Sequence, residues 1–138
     1  MKSLLTIFIS FLATSAQAFN DYYDCLQVGS SSTGWNEVYK KYEGSASVGL
    51  DNPITIKLTD LNTDTPYLSG QSTTKLTKIS SNRNTLWFIE LTSSGTVVTW
   101  TLFDKNIEWG SPKVLLISSK SYGSGGAVNF TSIYECKS

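Results

Sequence analysis

Beyond residue 18, apolar and polar positions alternate with a period of two over most of the chain. Ile54, Ile56 and Leu58 alternate with Thr55, Lys57 and Thr59, the pattern of a half-buried strand. Leu86–Leu91 and Val97–Phe103 are β-rich runs on either side of Ser93-Ser94-Gly95, a spacer that predicts a hairpin. Trp87, Ile89 and Leu91 share one face of the first run, and Val98, Trp100 and Leu102 share one face of the second. Cross-strand aromatic–aliphatic pairs are expected to hold the two runs together. Val114–Ile117 is continuously apolar, as in a strand covered on both faces. Val128, Phe130 and Tyr134 alternate towards Cys136, while Tyr23, Cys25 and Gln27 lie on one face of the first strand. Weaker strands are expected at Ala46–Leu50 and Thr74–Ile79, with Asp51-Asn52-Pro53 as turn chemistry.

One short helix is expected at Asn36–Glu43, with a strand as the close alternative because the segment is short. Asn36 would cap it, Glu37 and Lys41 form an i,i+4 pair, and Val38 and Tyr42 share a face. The whole pattern amounts to about eight strands with turn signals roughly every ten residues. It predicts an all-β chain folded as a small antiparallel β-barrel, with a β-sandwich as the alternative. Residues 19–138 show no composition shift that would mark a second domain.

The first 18 residues read differently. Lys2 precedes an apolar run from Leu4 to Ala13, and Ala16-Gln17-Ala18 is a cleavage signal that makes Phe19 the first mature residue. The run is shorter than the roughly 20 residues of a membrane span. The expectation is a removable signal peptide at 1–18, no membrane span, and a secreted or periplasmic product. In an oxidising compartment Cys25 and Cys136 have one intramolecular pairing available, which would tie the first strand to the last.

Composition then narrows the chemistry. The chain has no His, which removes the commonest general base and the commonest metal ligand. Residues 19–138 carry ten basic and eleven acidic side chains, a balance unsuited to nucleic-acid binding by bulk electrostatics. They also hold 18 Ser and 14 Thr, yet with no His and both Cys paired nothing activates a nucleophile. Neighbours of the Ser119-Lys120-Ser121 kind are ordinary in so hydroxyl-rich a chain. Asp60-Leu61-Asn62-Thr63-Asp64 has the oxygen spacing that opens a calcium loop, but Thr65 and Gln71 replace the Gly and Glu that such a loop needs. Neither a metal nor a cofactor is expected.

Four residues stand out as candidate binding positions. Trp35 and Trp109 are assigned to connections beside Asn, Glu and hydroxyl groups; a Trp plugging one end of the barrel is the favoured reading, and an aromatic that stacks on a sugar or anchors a protein contact is the alternative. Tyr122 opens the flexible run Tyr122-Gly123-Ser124-Gly125-Gly126. Glu90 interrupts Leu86–Leu91; a solvent-facing position is the favoured reading, and a barrel-interior acid is the alternative. Asn129-Phe130-Thr131 is a glycosylation sequon, with Asn129 on the face opposite Phe130.

Tyr23-Asp24-Cys25 near the start, Cys136 at the end and Ser93-Ser94-Gly95 between strands resemble the outline of small exported bacterial β-barrels of the lysozyme-inhibitor group. The resemblance covers short scattered pieces. The Tyr and Trp-x-Lys-Gly features that follow the Ser-Gly in that group are absent, so no site residue is carried over. The expectation is an exported, non-enzymatic binding or inhibitory module acting on a protein or glycan, with a lipocalin-like carrier of a small apolar ligand as the alternative.

Overall fold

The computed structural model describes residues 19–36, 38–82, 84–104, 113–122 and 128–138. The predicted signal peptide at 1–18 lies outside them, as do Trp109 and the 123–127 run. Among the described residues ten strands form one antiparallel sheet: β1 (Tyr23–Asn36), β2 (Lys41–Val48), β3 (Thr55–Thr59), β4 (Tyr67–Ser69), β5 (Thr73–Lys75), β6 (Thr77–Ser81), β7 (Thr85–Leu91), β8 (Val97–Phe103), β9 (Val114–Tyr122) and β10 (Val128–Lys137). Nine of them follow the order β5-β4-β3-β1-β10-β9-β8-β7-β6 and curl into a nearly closed barrel; β2 pairs with β1 off this path. The predicted antiparallel barrel is therefore the observed fold.

The barrel has one unsealed seam, between β5 and β6, which are consecutive in the chain and separated only by Leu76. Thr73–Ser81 is in effect one run whose halves serve different neighbours. Its first half pairs with β4, and the register carries on as the Leu76 amide donates to the Pro66 carbonyl (2.8 Å) and the Lys78 amide to that of Asp64 (3.2 Å). Its second half pairs with β7. The expected single strand at Thr74–Ile79 is thus split in two.

Cys25 and Cys136 face each other in the β1–β10 ladder and form a disulfide across a sequence separation of 111 residues. The predicted bridge is present and joins the first strand to the last. Above it, the inward positions form rows. Leu86, Leu102, Leu116, Tyr134 and Gln27 are one row; Phe88, Trp100, Ser118, Ser132 and Ser30 the next; Glu90, Val98, Lys120, Phe130 and Ser32 the last. Leu58, Leu76, Phe88, Leu102 and Leu116 are fully buried and fill the lower barrel. A bulge at Val28 shifts β1 by one residue, so its inward set changes from Tyr23, Cys25 and Gln27 to Ser30 and Ser32.

Two local expectations are corrected. The described residues of the 36–43 segment form no helix. Asn36 does cap, but it caps a turn: its Oδ1 accepts from the Val38 amide (3.0 Å) and the Tyr39 amide (3.2 Å). Lys40 then takes a left-handed φ of 52°, and Lys41 returns opposite Asn36 as the start of β2. Lys41 pairs with Glu43 at 3.3 Å on its own strand. The strand expected at Ala46–Leu50 accordingly begins earlier and ends at Val48.

The second correction concerns the β7 face. Trp100 opposes Phe88, Leu102 opposes Leu86 and Val98 opposes Glu90; Trp87, Ile89 and Leu91 point outward, and Leu91 is 71% exposed. The five residues Thr92–Thr96 between the paired ends Leu91 and Val97 match even-numbered residues to even-numbered ones.

Candidate functional site

The upper rows enclose an open cavity of about 390 Å3 at the end of the barrel opposite the disulfide. Its walls are Val98, Trp100, Phe130 and Tyr134 on the apolar side, and Glu90, Thr92, Ser118, Lys120 and Ser132 on the polar side. β7 and β8 supply Glu90, Val98 and Trp100; β9 supplies Ser118 and Lys120; β10 supplies the rest but for Thr92. Three hairpins surround this end: β1–β2, β7–β8 and β9–β10. The β7–β8 turn is fixed by its own hydroxyls: the Thr96 amide donates to Thr92 Oγ1 (3.0 Å), and Gly95 takes φ 80°, a value that suits glycine.

Glu90 is inward, at the mouth and half-buried, which corrects the favoured solvent-facing reading. Strict alternation from Leu86 and Phe88 carries it there. Trp100 Nε1 donates to Glu90 Oε2 at 3.0 Å, so the indole fixes the carboxylate against one wall. The indole ring lies 6.0 Å from the Tyr134 ring at a tilt of 41°, which lines two aromatic surfaces along the same side. Burial pushes the Tyr134 phenol above its ordinary value of 10.0, against the opposing effect of the Ser132 and Ser118 hydroxyls. Gln27 Nε2 donates to Ser132 Oγ (3.2 Å) from below and orients that hydroxyl.

Trp35 lies in β1 and not in a connection, paired with Tyr42 and three residues beyond Ser32 of the mouth row. That is about 10 Å past the mouth along the strand. Tyr122 is the last residue of β9, two beyond Lys120, and pairs with Val128. The side chains of Trp35 and Tyr122 are outside the description, but their backbone positions fall at the same end as Glu90. The fold thus brings three of the four candidate positions to one end. Sequence reasoning missed Lys120, Phe130, Tyr134, Ser118 and Ser132 as site residues. The length of the Thr92–Thr96 connection was the available signal, because it places Glu90 on the same inner face as Trp100.

The Asp60–Asp64 segment folds as a turn. The Thr63 amide and hydroxyl both donate to the Asp60 carbonyl (3.0 and 2.8 Å), and Asp60 has a φ of 58°. Leu61 is buried and its carbonyl accepts from the Lys78 ammonium at 2.6 Å, so a lysine occupies the neighbourhood where a cation would be wanted. Asn129 is exposed and accepts from Ser119 Oγ (3.3 Å), while Phe130 beside it faces the cavity, as the alternation predicted.

Among the described residues no helix is long and apolar enough to cross a membrane. Comparison with protein-family models, with curated proteins and with solved structures returns no match.

Proposed function

We propose that the protein is an exported, non-catalytic binding module that takes a sugar unit of a glycan in the open end of its barrel. The observation that carries this reading is the indole-fixed carboxylate: Glu90, held by Trp100 Nε1 at 3.0 Å, inside a cavity walled by aromatic rings and serine hydroxyls. Sugars present apolar C–H faces and hydroxyl edges. The faces suit the electron-rich faces of Trp100, Tyr134 and Phe130, and the edges suit a carboxylate acceptor and the Ser118 and Ser132 hydroxyls. The cavity volume is within the range of small-ligand sites.

The same lining argues against the apolar-carrier alternative. A wholly apolar occupant would strip water from the Glu90 carboxylate without replacing its hydrogen bonds. It also favours binding over catalysis, because Glu90 is the one acid among the described lining residues and glycoside hydrolysis uses a pair. Export rests on the 1–18 signal and on a disulfide that an oxidising compartment would maintain.

The test is isothermal titration of the mature chain, from Phe19, against a panel of soluble oligosaccharides, repeated with Glu90→Gln and Trp100→Phe. At least one saccharide is expected to bind the parent chain, with both variants weakened about tenfold or more, the cost of a hydrogen bond to a charged group. Absence of saccharide binding, or binding indifferent to Glu90, would sink the reading.

A further inference from the structure

Among the described residues no strand lies beside the outer edge of β2, and all eight of its residues are exposed. Such an edge is a template for another strand, and sequences usually blunt it with Pro, a bulge or repeated lysines. Lys41–Val48 has neither Pro nor bulge, and its only lysine is at one end.

The register fixes which groups face outward. The Gly49 amide donates to the Val28 carbonyl (3.3 Å), one step beyond the Gly29–Val48 pair. Hydrogen-bonded and non-bonded pairs alternate in an antiparallel ladder. Lys41, Glu43, Ser45 and Ser47 therefore direct their backbone groups to β1, and Tyr42, Gly44, Ala46 and Val48 direct theirs outward. Ser45 bonds to Ser32 through their hydroxyls (3.0 Å), which puts the odd-numbered side chains on the face that continues the barrel interior. The even-numbered side chains share the opposite face, where Val48 is 90% and Tyr42 60% exposed.

We infer that this edge is covered by a second copy of the chain, β2 pairing antiparallel with β2 across a twofold axis at Ser45. Outward groups must meet outward groups, so even-numbered residues pair with even-numbered ones. The register centred on Ser45 keeps Tyr42–Val48 in the ladder and sets Tyr42 opposite Val48 of the second copy, twice. Gly44 meets Ala46, Glu43 meets Ser47, and no like charges face each other. An aromatic opposite a β-branched residue is a favourable cross-strand pair. The same strand, inverted, supplies that match at both ends of the ladder, which makes the contact isologous and closed. Centring on Gly44 would set Val48 opposite Lys40 and lose the match.

Sedimentation equilibrium on the mature chain over a wide concentration range tests this, independently of any saccharide. The parent is expected to show a monomer–dimer equilibrium. Ala46→Pro removes one outward amide per copy, on an edge where Pro is tolerated, and should weaken association roughly 100-fold. Val48→Lys should also weaken it, and serves if the proline variant does not fold. Ser45→Cys should cross-link to itself under oxidising conditions, because the axis brings the two Cα atoms to about 4.5 Å, whereas Ser47→Cys should not. A monomer at every concentration, a dimer indifferent to Ala46→Pro and Val48→Lys, or equal cross-linking at 45 and 47 would overturn the inference.

Discussion

The two ends of the barrel are built on the same strands and the same alternation, yet they use their inward positions differently. On β8, Leu102 is sealed among Leu86, Leu116 and Tyr134, and two residues earlier Trp100 already borders a cavity. On β9 the inward series runs Val114, Leu116, Ser118, Lys120, from aliphatic to hydroxyl to ammonium. On β10 the disulfide cysteine gives way to Tyr134, Ser132 and Phe130. The lower half gives its side chains to close packing. The upper half leaves groups that close packing would have excluded. A period-two pattern fixes which residues face inward; what they do there depends on how far up the strand they sit.

That contrast can be broken experimentally, and the largest effect belongs to the lower end. Replacing both Cys25 and Cys136 with serine should destabilise the chain by about 4–5 kcal/mol in the loop-entropy account of a bridge spanning 111 residues. The denaturant midpoint would read this, and an unchanged midpoint would mean the β1–β10 ladder holds without its cross-link. Next comes Leu116→Ala, which empties a fully buried site and should cost about 3 kcal/mol.

Glu90→Gln at the upper end should change stability by less than about 1 kcal/mol, since an amide oxygen can still accept from Trp100 Nε1. A loss as large as that of Leu116→Ala would show that the mouth is part of the core after all. The smallest effect concerns pH. The Tyr134 phenol is raised above 10.0 by burial, so its contribution is complete below pH 10 and is lost as pH rises through its folded value. Tyr134→Phe should therefore reduce the alkaline loss of stability, read as thermal unfolding at a series of pH values above neutrality.

The barrel class, the hairpin at Ser93-Ser94-Gly95 and the Cys25–Cys136 bridge were legible in the sequence, because each rests on local pattern or on the count of cysteines. The length of β1 was not. Ser30, Ser31, Ser32 and Thr33 carry no apolar alternation, and they stay in the sheet because β10 and β2 flank them on both sides. The Asn36–Glu43 helix failed for a related reason. Asn36 caps a turn as readily as a helix, and pairing along β1 decided between them. The site itself was half legible. Glu90 drew attention as an acid in an apolar run, but Trp100, Lys120 and Tyr134, which line the same cavity, lie on β8, β9 and β10, and only the register assembles them. Trp35 was assigned to a connection among Ser, Thr, Gly and Asn, whereas Gly34 and Trp35 stay in β1, paired with Glu43 and Tyr42.

The seam at Leu76 and the disulfide have a joint mechanical meaning. Along the order of strands, the β1–β10 junction lies about midway between β5 and β6. The wall is a slit ring with its rivet on the far side. At the slit the main chain of Leu76 still joins β5 to β6, so the two sides of the wall are held by one backbone residue and one disulfide. Any loosening of the wall there would have to bend the chain at Leu76 while the disulfide keeps β1 against β10, and the amides nearest Leu76 are where hydrogen exchange would register it.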